Sequence, residues 1–355
     1  MMFESLESRL LLAAYISHRS LIINTGDTSD TLVISLDGNL VTINSGKSFR
    51  KGYVRSIYIT SGAGNDVIRL ENIKVPAYID AGPGNDLIVG GNTADTLIGG
   101  PGNDRIYGMG GNDTLDGGPG SNTLDGGNGR DTISYASNAS PVNMLIRRRK
   151  VYSSTGTDRT DQVSPTVETI IGTPFDDLLL GNASINLIRG MGGNDTLQSL
   201  GSSDTLDGGE GNDRLIVAAP AVTVIGGLGN DTADFSPRTD NLRITLDGNP
   251  NDGTPREKSN VGADIENVIG GSGNDRIVGT DQDNRLEGGP GNDTLIGGLG
   301  ADSFLGGTGR DLADYSDRTE DLNLTPDGQP HSGATGENDL IGTDIEELAA
   351  GSGND

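Results

Sequence analysis

Gly99-Gly100-Pro101-Gly102-Asn103-Asp104-Arg105-Ile106-Tyr107 is one nonapeptide, and the stretches 108–116, 117–125 and 126–134 repeat it without a slip. The shared template is G-G-x-G-x-D-x-U-x, with U a large apolar residue. Glycines in the first four positions let the backbone take φ > 0 and turn sharply without a Cβ clash. Such a turn leaves carbonyl oxygens pointing inward, and the aspartate at position six adds a carboxylate. The last three residues alternate polar, apolar, polar, which reads as a very short strand with one inward side chain. Ile88, Leu97, Ile106, Leu115, Leu124 and Ile133 hold that inward position. A glycine turn followed by a three-residue strand, repeated, specifies an all-β fold, a parallel β-roll or β-solenoid.

Composition agrees with a thin core. The 355-residue chain is 32% hydrophobic and only 4% aromatic, too little for a large conventional interior but enough for a single apolar file per sheet. Its formal net charge is −26, from 51 acidic and 25 basic residues, so it should repel nucleic acid and anionic membrane and resist collapse without counter-cations. Cysteine is absent, which excludes disulfides. No apolar run approaches the length of a membrane span.

Working outward, residues 61–134 form a first run of repeats and 135–171 an excursion without the glycine pattern. A second run covers 172–234 and a second excursion 235–269; a third run covers 270–314 and a third excursion 315–349, with a further repeat starting at 350–355. The last two excursions are copies 80 residues apart: Phe235-Ser236-Pro237-Arg238-Thr239 matches Tyr315-Ser316-Asp317-Arg318-Thr319, and Asp264-Ile265-Glu266 matches Asp344-Ile345-Glu346. Each excursion reads as a hairpin leaving and rejoining the solenoid. Residues 21–60 carry alternating runs and the turn Asp37-Gly38, and read as a β cap over the first coil. Within the cap, 25–33 reads as a worn nonapeptide with Asp30 at position six. In the segment 1–20, the stretch Leu6-Glu7-Ser8-Arg9-Leu10-Leu11-Leu12 resembles an L-E-x-R-x-L-L box near the start of large bacterial surface and secreted proteins; an amphipathic helix turn is the competing reading.

With these units in view, the chain resembles the calcium-binding β-roll of the repeats-in-toxin (RTX) family, whose hemolysin-type repeats occur in bacterial secreted and surface proteins. The resemblance covers roughly residues 61–355. It implies that two nonapeptides make one coil, that alternate units stack, and that each ion lies between stacked aspartates and glycine-arc carbonyls. Carried over position by position, the metal ligands are Asp66, Asp86, Asp95, Asp104, Asp113 and Asp131 in the first run. In the second they are Asp177, Asp195, Asp204, Asp213 and Asp231, and in the third Asp275, Asp293, Asp302 and Asp311. Asn122, Asn186, Val222 and Asn284 stand where the carboxylate is missing. A single such aspartate could be a turn residue bonding its own backbone. A periodic series of them points to multiple Ca2+ ions.

The same family includes proteases, lipases, polysaccharide epimerases and haemolysins that carry the roll as a tail. No catalytic module is legible here. The two histidines, His18 and His331, are far apart, so there is no H-E-x-x-H site, and no G-x-S-x-G elbow occurs. Gly46-Lys47-Ser48 lacks the earlier glycine of a phosphate loop, because Val41 stands there. The stretch 247–253 resembles an EF-hand loop with its glycine one place late and Lys258 at the final Glu position, and reads as a hairpin turn. Arg147-Arg148-Arg149-Lys150 reads as a solvated face. The expectation is therefore a non-enzymatic, extracellular or cell-surface calcium-binding protein. Its role would be structural or adhesive, with cell-surface or matrix polysaccharide or protein as partner. The alternative is the repeat portion of a secreted enzyme or toxin whose active module lies elsewhere.

Overall fold

The computed structural model describes residues 13–44, 46–147, 150–155, 160–184 and 186–355; the box at 6–12 and the side chains of the 147–150 run lie outside the described residues. Among the described residues there is no α-helix, and one 3-10 turn spans Lys51–Tyr53. The chain divides into two units, Met1–Ile171 and Gly172–Asp355.

In the first unit the strands are laid down alternately on two sheets. One sheet runs Ser20–Asn24, Ser56–Thr60, Ala77–Asp80, Thr96–Ile98, Thr114–Asp116, Thr132–Ser134 and Thr169–Ile171, each parallel to the next. The other runs Thr31–Asp37, Val67–Glu71, Leu87–Val89, Arg105–Tyr107, Thr123–Asp125 and Thr160–Val163, also parallel. Thr96 pairs with Thr114 and Arg105 with Thr123, so each residue meets the one 18 positions on: two nonapeptides make one coil. The alternation of each strand then decides burial. Ile59, Ile79, Leu97, Leu115 and Ile133 form one fully buried file, and Ile68, Ile88, Ile106 and Leu124 face it from the other sheet. One large apolar side chain per nonapeptide is enough, which is why so little hydrophobic residue sustains the fold.

The cap begins before residue 21. Ala13–Ser17 pairs antiparallel with Ser20–Asn24, and Thr31–Asp37, Leu40–Ile43 and Lys47–Arg50 form an antiparallel meander turning at Gly38. The first excursion is a three-stranded antiparallel meander of Val142–Arg147, Lys150–Thr155 and Thr160–Val163.

The second unit has three sheets. Leu178–Leu180, Thr196–Ser199, Arg214–Val217, Thr232–Asp234, Asn267–Ile269, Arg285–Pro290, Ser303–Thr308 and Asp339–Ile341 build the longest. Leu187–Gly192, Thr205–Glu210, Thr223–Leu228 and Asn260–Val261 build the second. The third starts inside the second excursion: Arg243–Thr245 lies parallel to Arg276–Val278, followed by Thr294–Ile296, Leu312–Asp314 and Glu347–Ala349. That excursion is thus more than a hairpin. Leu242, Ile244 and Leu246 are all buried, so the strand carries its own apolar file and seeds a new stack. Only the antiparallel bridges Arg243–Gly253 and Asp252–Ser259 are hairpin-like.

Candidate metal centres in the glycine turns

Two opposed hydrogen-bond ladders hold the turns in stack. On the inside, the position-six N–H of one unit donates to the carboxylate Oδ1 of the unit one coil on: Asp86 to Asp104 at 2.7 Å, Asp95 to Asp113 at 2.8 Å, Asp195 to Asp213 at 2.7 Å. On the outside the direction reverses, and the position-five N–H of Asn103 donates back to Oδ1 of Asn85 at 2.8 Å. All fifteen aspartates assigned from sequence are at most 3% exposed, so each sits in the wall of the roll.

What differs among them is the second oxygen. Oδ2 is buried and has no hydrogen-bond partner in Asp66, Asp86, Asp104, Asp113, Asp131, Asp195, Asp213, Asp231, Asp293 and Asp311. In every one of these units the second and fourth residues have positive φ, as in Gly100 (+95°) and Gly102 (+157°). The arcs stack backbone against backbone: a Cβ on Gly100 would lie 2.5 Å from the Gly82 carbonyl oxygen, and one on Gly102 1.4 Å from that of Gly84. At Met109 (φ +77°) and Met191 (φ +87°) an ordinary residue is held in this conformation, at a strain cost of about 1–2 kcal/mol.

In four other units the turn closes on itself. The Gly91 N–H donates to Oδ2 of Asp95 at 2.7 Å, Thr173 to Asp177 at 2.6 Å, Gly201 to Asp204 at 3.1 Å and Gly271 to Asp275 at 2.6 Å. In none of these four do the second and fourth residues take positive φ. The remaining unit, at Asp302, has the positive-φ pair Gly298 and Gly300, but the Arg318 guanidinium donates to the Gly298 carbonyl at 2.8 Å and also pairs with Glu337. Of the positions lacking a carboxylate, Asn122 turns its Nδ2 to the Gly118 carbonyl at 3.0 Å, while Asn186 and Asn284 accept the amides of Asn182 and Thr280 at 2.6 Å.

An ionised carboxylate buried with one oxygen unbonded is unfavourable. Burial accordingly pushes the Asp104 and Asp113 carboxyls up to about 7 and that of Asp195 to about 8, against the pull of the ladder N–H and with neighbouring row carboxylates adding to the rise. Asp86, Asp231 and Asp293 are pushed up to about 6 by the same burial. A bound cation would remove this penalty. Among the described residues no three His, Cys, Asp or Glu side chains gather around one point, so most ligands would have to be backbone carbonyls. Hard oxygens in a flexible, carbonyl-rich cradle suit calcium and do not suit zinc or magnesium. The donor set of the open turns fits the ion.

Sequence reading missed the carboxylates that end each row. The Asp131 N–H donates to Glu168 Oε2 at 2.8 Å, Asp231 to Glu266 at 2.7 Å and Asp311 to Glu346 at 2.9 Å. Likewise Asn122 donates to Asp161 at 2.7 Å and Asp302 to Asp339 at 2.8 Å. These residues come from the returning ends of the excursions, where the G-G-x-G arc of the template does not precede them. The signal was present in the duplicated Asp264-Ile265-Glu266 and Asp344-Ile345-Glu346, whose aspartates also accept the Gly227 and Gly307 amides at 2.9 Å. Asp30 does stand at position six of a worn unit: its N–H donates to Asp66 Oδ1 at 2.7 Å.

The model of the RTX calcium-binding nonapeptide repeat matches the chain over residues 78–106, 98–133, 180–215, 261–289 and 278–313. No curated protein matches. Among solved structures, the chain is similar to the extracellular lipase LipA from Serratia marcescens at 17% identity and a TM-score of 0.22; the match covers 68% of this chain and 37% of the lipase. The family model spans eight of the ten open turns, all but those of Asp66 and Asp231, and the chain carries RTX calcium-binding nonapeptide repeats in multiple copies.

Proposed function

We propose that this is a secreted or cell-surface protein that folds on calcium and serves, without catalysis, as a structural or adhesive scaffold. The observation that carries the reading is the series of ten buried, unpartnered Oδ2 atoms, each beside a positive-φ arc. Asp66, Asp86, Asp104, Asp113, Asp131, Asp195, Asp213, Asp231, Asp293 and Asp311 would hold the ions together with arc carbonyls. When bound, calcium supplies charge compensation and an oxygen-coordination centre between coils; the chain's own residues supply the stack. Each ion would bring two positive charges against the formal net charge of −26. Without them, carboxylates repeat along each row at about 4.8 Å per strand with little apolar burial to oppose their repulsion. Extracellular calcium modules have dissociation constants of about 10⁻⁴–10⁻³ M, which keeps such a chain unfolded in cytosol and folded outside.

The test is a calcium titration followed by circular dichroism, with ions counted by native mass spectrometry. The expected result is a cooperative gain of β-signal between about 0.1 and 1 mM calcium and no comparable gain with magnesium at the same concentration. A full β-signal in excess chelator, or equal folding by magnesium, would overturn the reading.

A further inference from the structure

The open turns lie at the edges of the roll; its faces are a separate surface. On the outward side of the first unit's sheet, Tyr15, Ile22, Tyr58 and Tyr78 are consecutive cross-strand partners, and the row continues through Thr96, Thr114, Thr132 and Thr169. Tyr15, Tyr58 and Tyr78 are 49%, 47% and 37% exposed, in a chain with only eight tyrosines. The Tyr58 and Tyr78 rings stack with centroids 6.0 Å apart and planes 30° from parallel. Beneath them Ile57, Ile59, Ala77 and Ile79 are buried, so the rings stand on a rigid floor. An adjacent outward row presents Asn24, Thr60, Asp80, Ile98 and Asp116.

The geometry points to this face as a binding platform for a neutral polysaccharide chain. A pyranose ring has an apolar C–H face and a hydroxyl rim. Ordered, solvent-facing tyrosines match the first at low entropic cost, and the flanking hydroxyls, amide and carboxylates match the second. Strands repeat at about 4.8 Å, close to the rise of one sugar in an extended β-linked chain, so the row can be followed sugar by sugar. The charge argues for a neutral ligand: Asp80 and Asp116 border the row and the chain is strongly acidic, which disfavours anionic glycans and anionic lipid. A protein partner is a poorer match. A stable interface buries about 1,200–2,000 Å² around an apolar centre, whereas here the aromatics give way to threonines. The inference rests on the adhesive reading for its purpose, but the row contains no candidate calcium ligand.

The full chain at saturating calcium, its fold checked by circular dichroism, is tested for retention on microcrystalline cellulose and on chitin, with alginate as the anionic control. Retention on at least one neutral polymer is expected, falling at least tenfold in the Tyr58→Ala/Tyr78→Ala double variant. Tyr53→Ala, which removes a 59% exposed tyrosine off the row, should change nothing. Should the double variant fail to fold, quenching or enhancement of tyrosine fluorescence in the unaltered chain on adding soluble cello- or chito-oligosaccharide replaces it. The inference is overturned if the folded chain binds neither neutral polymer nor their oligosaccharides, binds alginate as tightly, or retains full binding in the folded double variant. A concentration-dependent dimer that the double variant abolishes would also overturn it. None of these outcomes bears on whether calcium is needed for the fold, which the titration above reads separately.

Discussion

Asp95 and Asp104 stand at the same position of consecutive nonapeptides, are 2% and 1% exposed, and each accepts a ladder N–H at Oδ1, from Ala77 at 2.8 Å and Asp86 at 2.7 Å. In Asp95 the other oxygen is taken by Gly91; in Asp104 it is bonded to nothing. The contrast shows that a position-six aspartate has two stable uses. Where the arc is held open by two positive-φ residues, as in ten of the eleven aspartate units that have them, the second oxygen is left without a hydrogen-bond partner. Where the arc lacks them, the carboxylate closes its own turn with both oxygens hydrogen-bonded. Under the proposed function the roll is therefore a mixture of turns that would hold an ion and turns that close on themselves.

The largest expected effect comes from forcing an open arc to accept a side chain. Gly100→Ala would place a Cβ 2.5 Å from the Gly82 carbonyl oxygen at φ +95°, whereas Gly91→Ala, at the same position of the preceding closed unit, meets nothing nearer than 3.3 Å. Strain and overpacking together should cost Gly100→Ala about 3 kcal/mol, and Gly91→Ala less than about 1 kcal/mol. Urea unfolding at saturating calcium reads both, and equal losses would mean that the arcs are not distinct.

A smaller effect separates the two sides of the second run. Asp213 lies between Asp195 and Asp231 in a row of open turns, while Asp204 is closed by Gly201 and stacked between Asn186 and Val222. Asp213→Ala should weaken calcium binding at least tenfold at two stacked sites, and Asp204→Ala less than twofold. Calorimetric titration of the two variants decides the matter, since equal losses would refute the stacking.

The mildest test uses protons. Burial raises the carboxyls of Asp104 and Asp195 from the ordinary 3.8 to about 7 and about 8. A group raised on folding stabilises the fold fully below its unfolded pKa and loses that contribution as pH rises through its folded value. The calcium-free chain should thus gain β-signal as pH is lowered from 8 towards 5, and calcium affinity should fall over the same window because each ion must displace protons. Circular dichroism in chelator across that range checks it; a calcium-free signal that rises with pH would contradict the burial.

The repeat, the parallel strands and the buried files were legible because one apolar residue every nine is a pattern that local chemistry cannot imitate. Openness was not legible in the same way. Gly270-Gly271-Ser272-Gly273-Asn274-Asp275 matches the template, yet Asp275 is closed. The turn before it in the stack is the excursion segment and not another glycine arc: a Cβ on Gly271 would lie 2.8 Å from the Arg238 carbonyl oxygen. Met109 and Met191 depart from the template and still support open turns. An arc's conformation is not decided by its own template residues alone, and the arc it stacks on lies 18 or more residues away in sequence. For the same reason Glu168, Glu266 and Glu346 could not be placed from spacing: a chain of variable length separates them from the rows they end.

Those row-ending glutamates also bear on how such a chain can lengthen over generations. The block beginning at Phe235 and its copy at Tyr315 each bring a glutamate, Glu266 and Glu346, that satisfies the last amide of the run before. A segment that finishes its predecessor's hydrogen bonding before starting its own repeats can be inserted or deleted in tandem without exposing an unfinished edge. The 80-residue period is in that sense a unit of architecture that carries its own closure: adding or removing a copy would change the number of coils while keeping the glutamate that ends the preceding row.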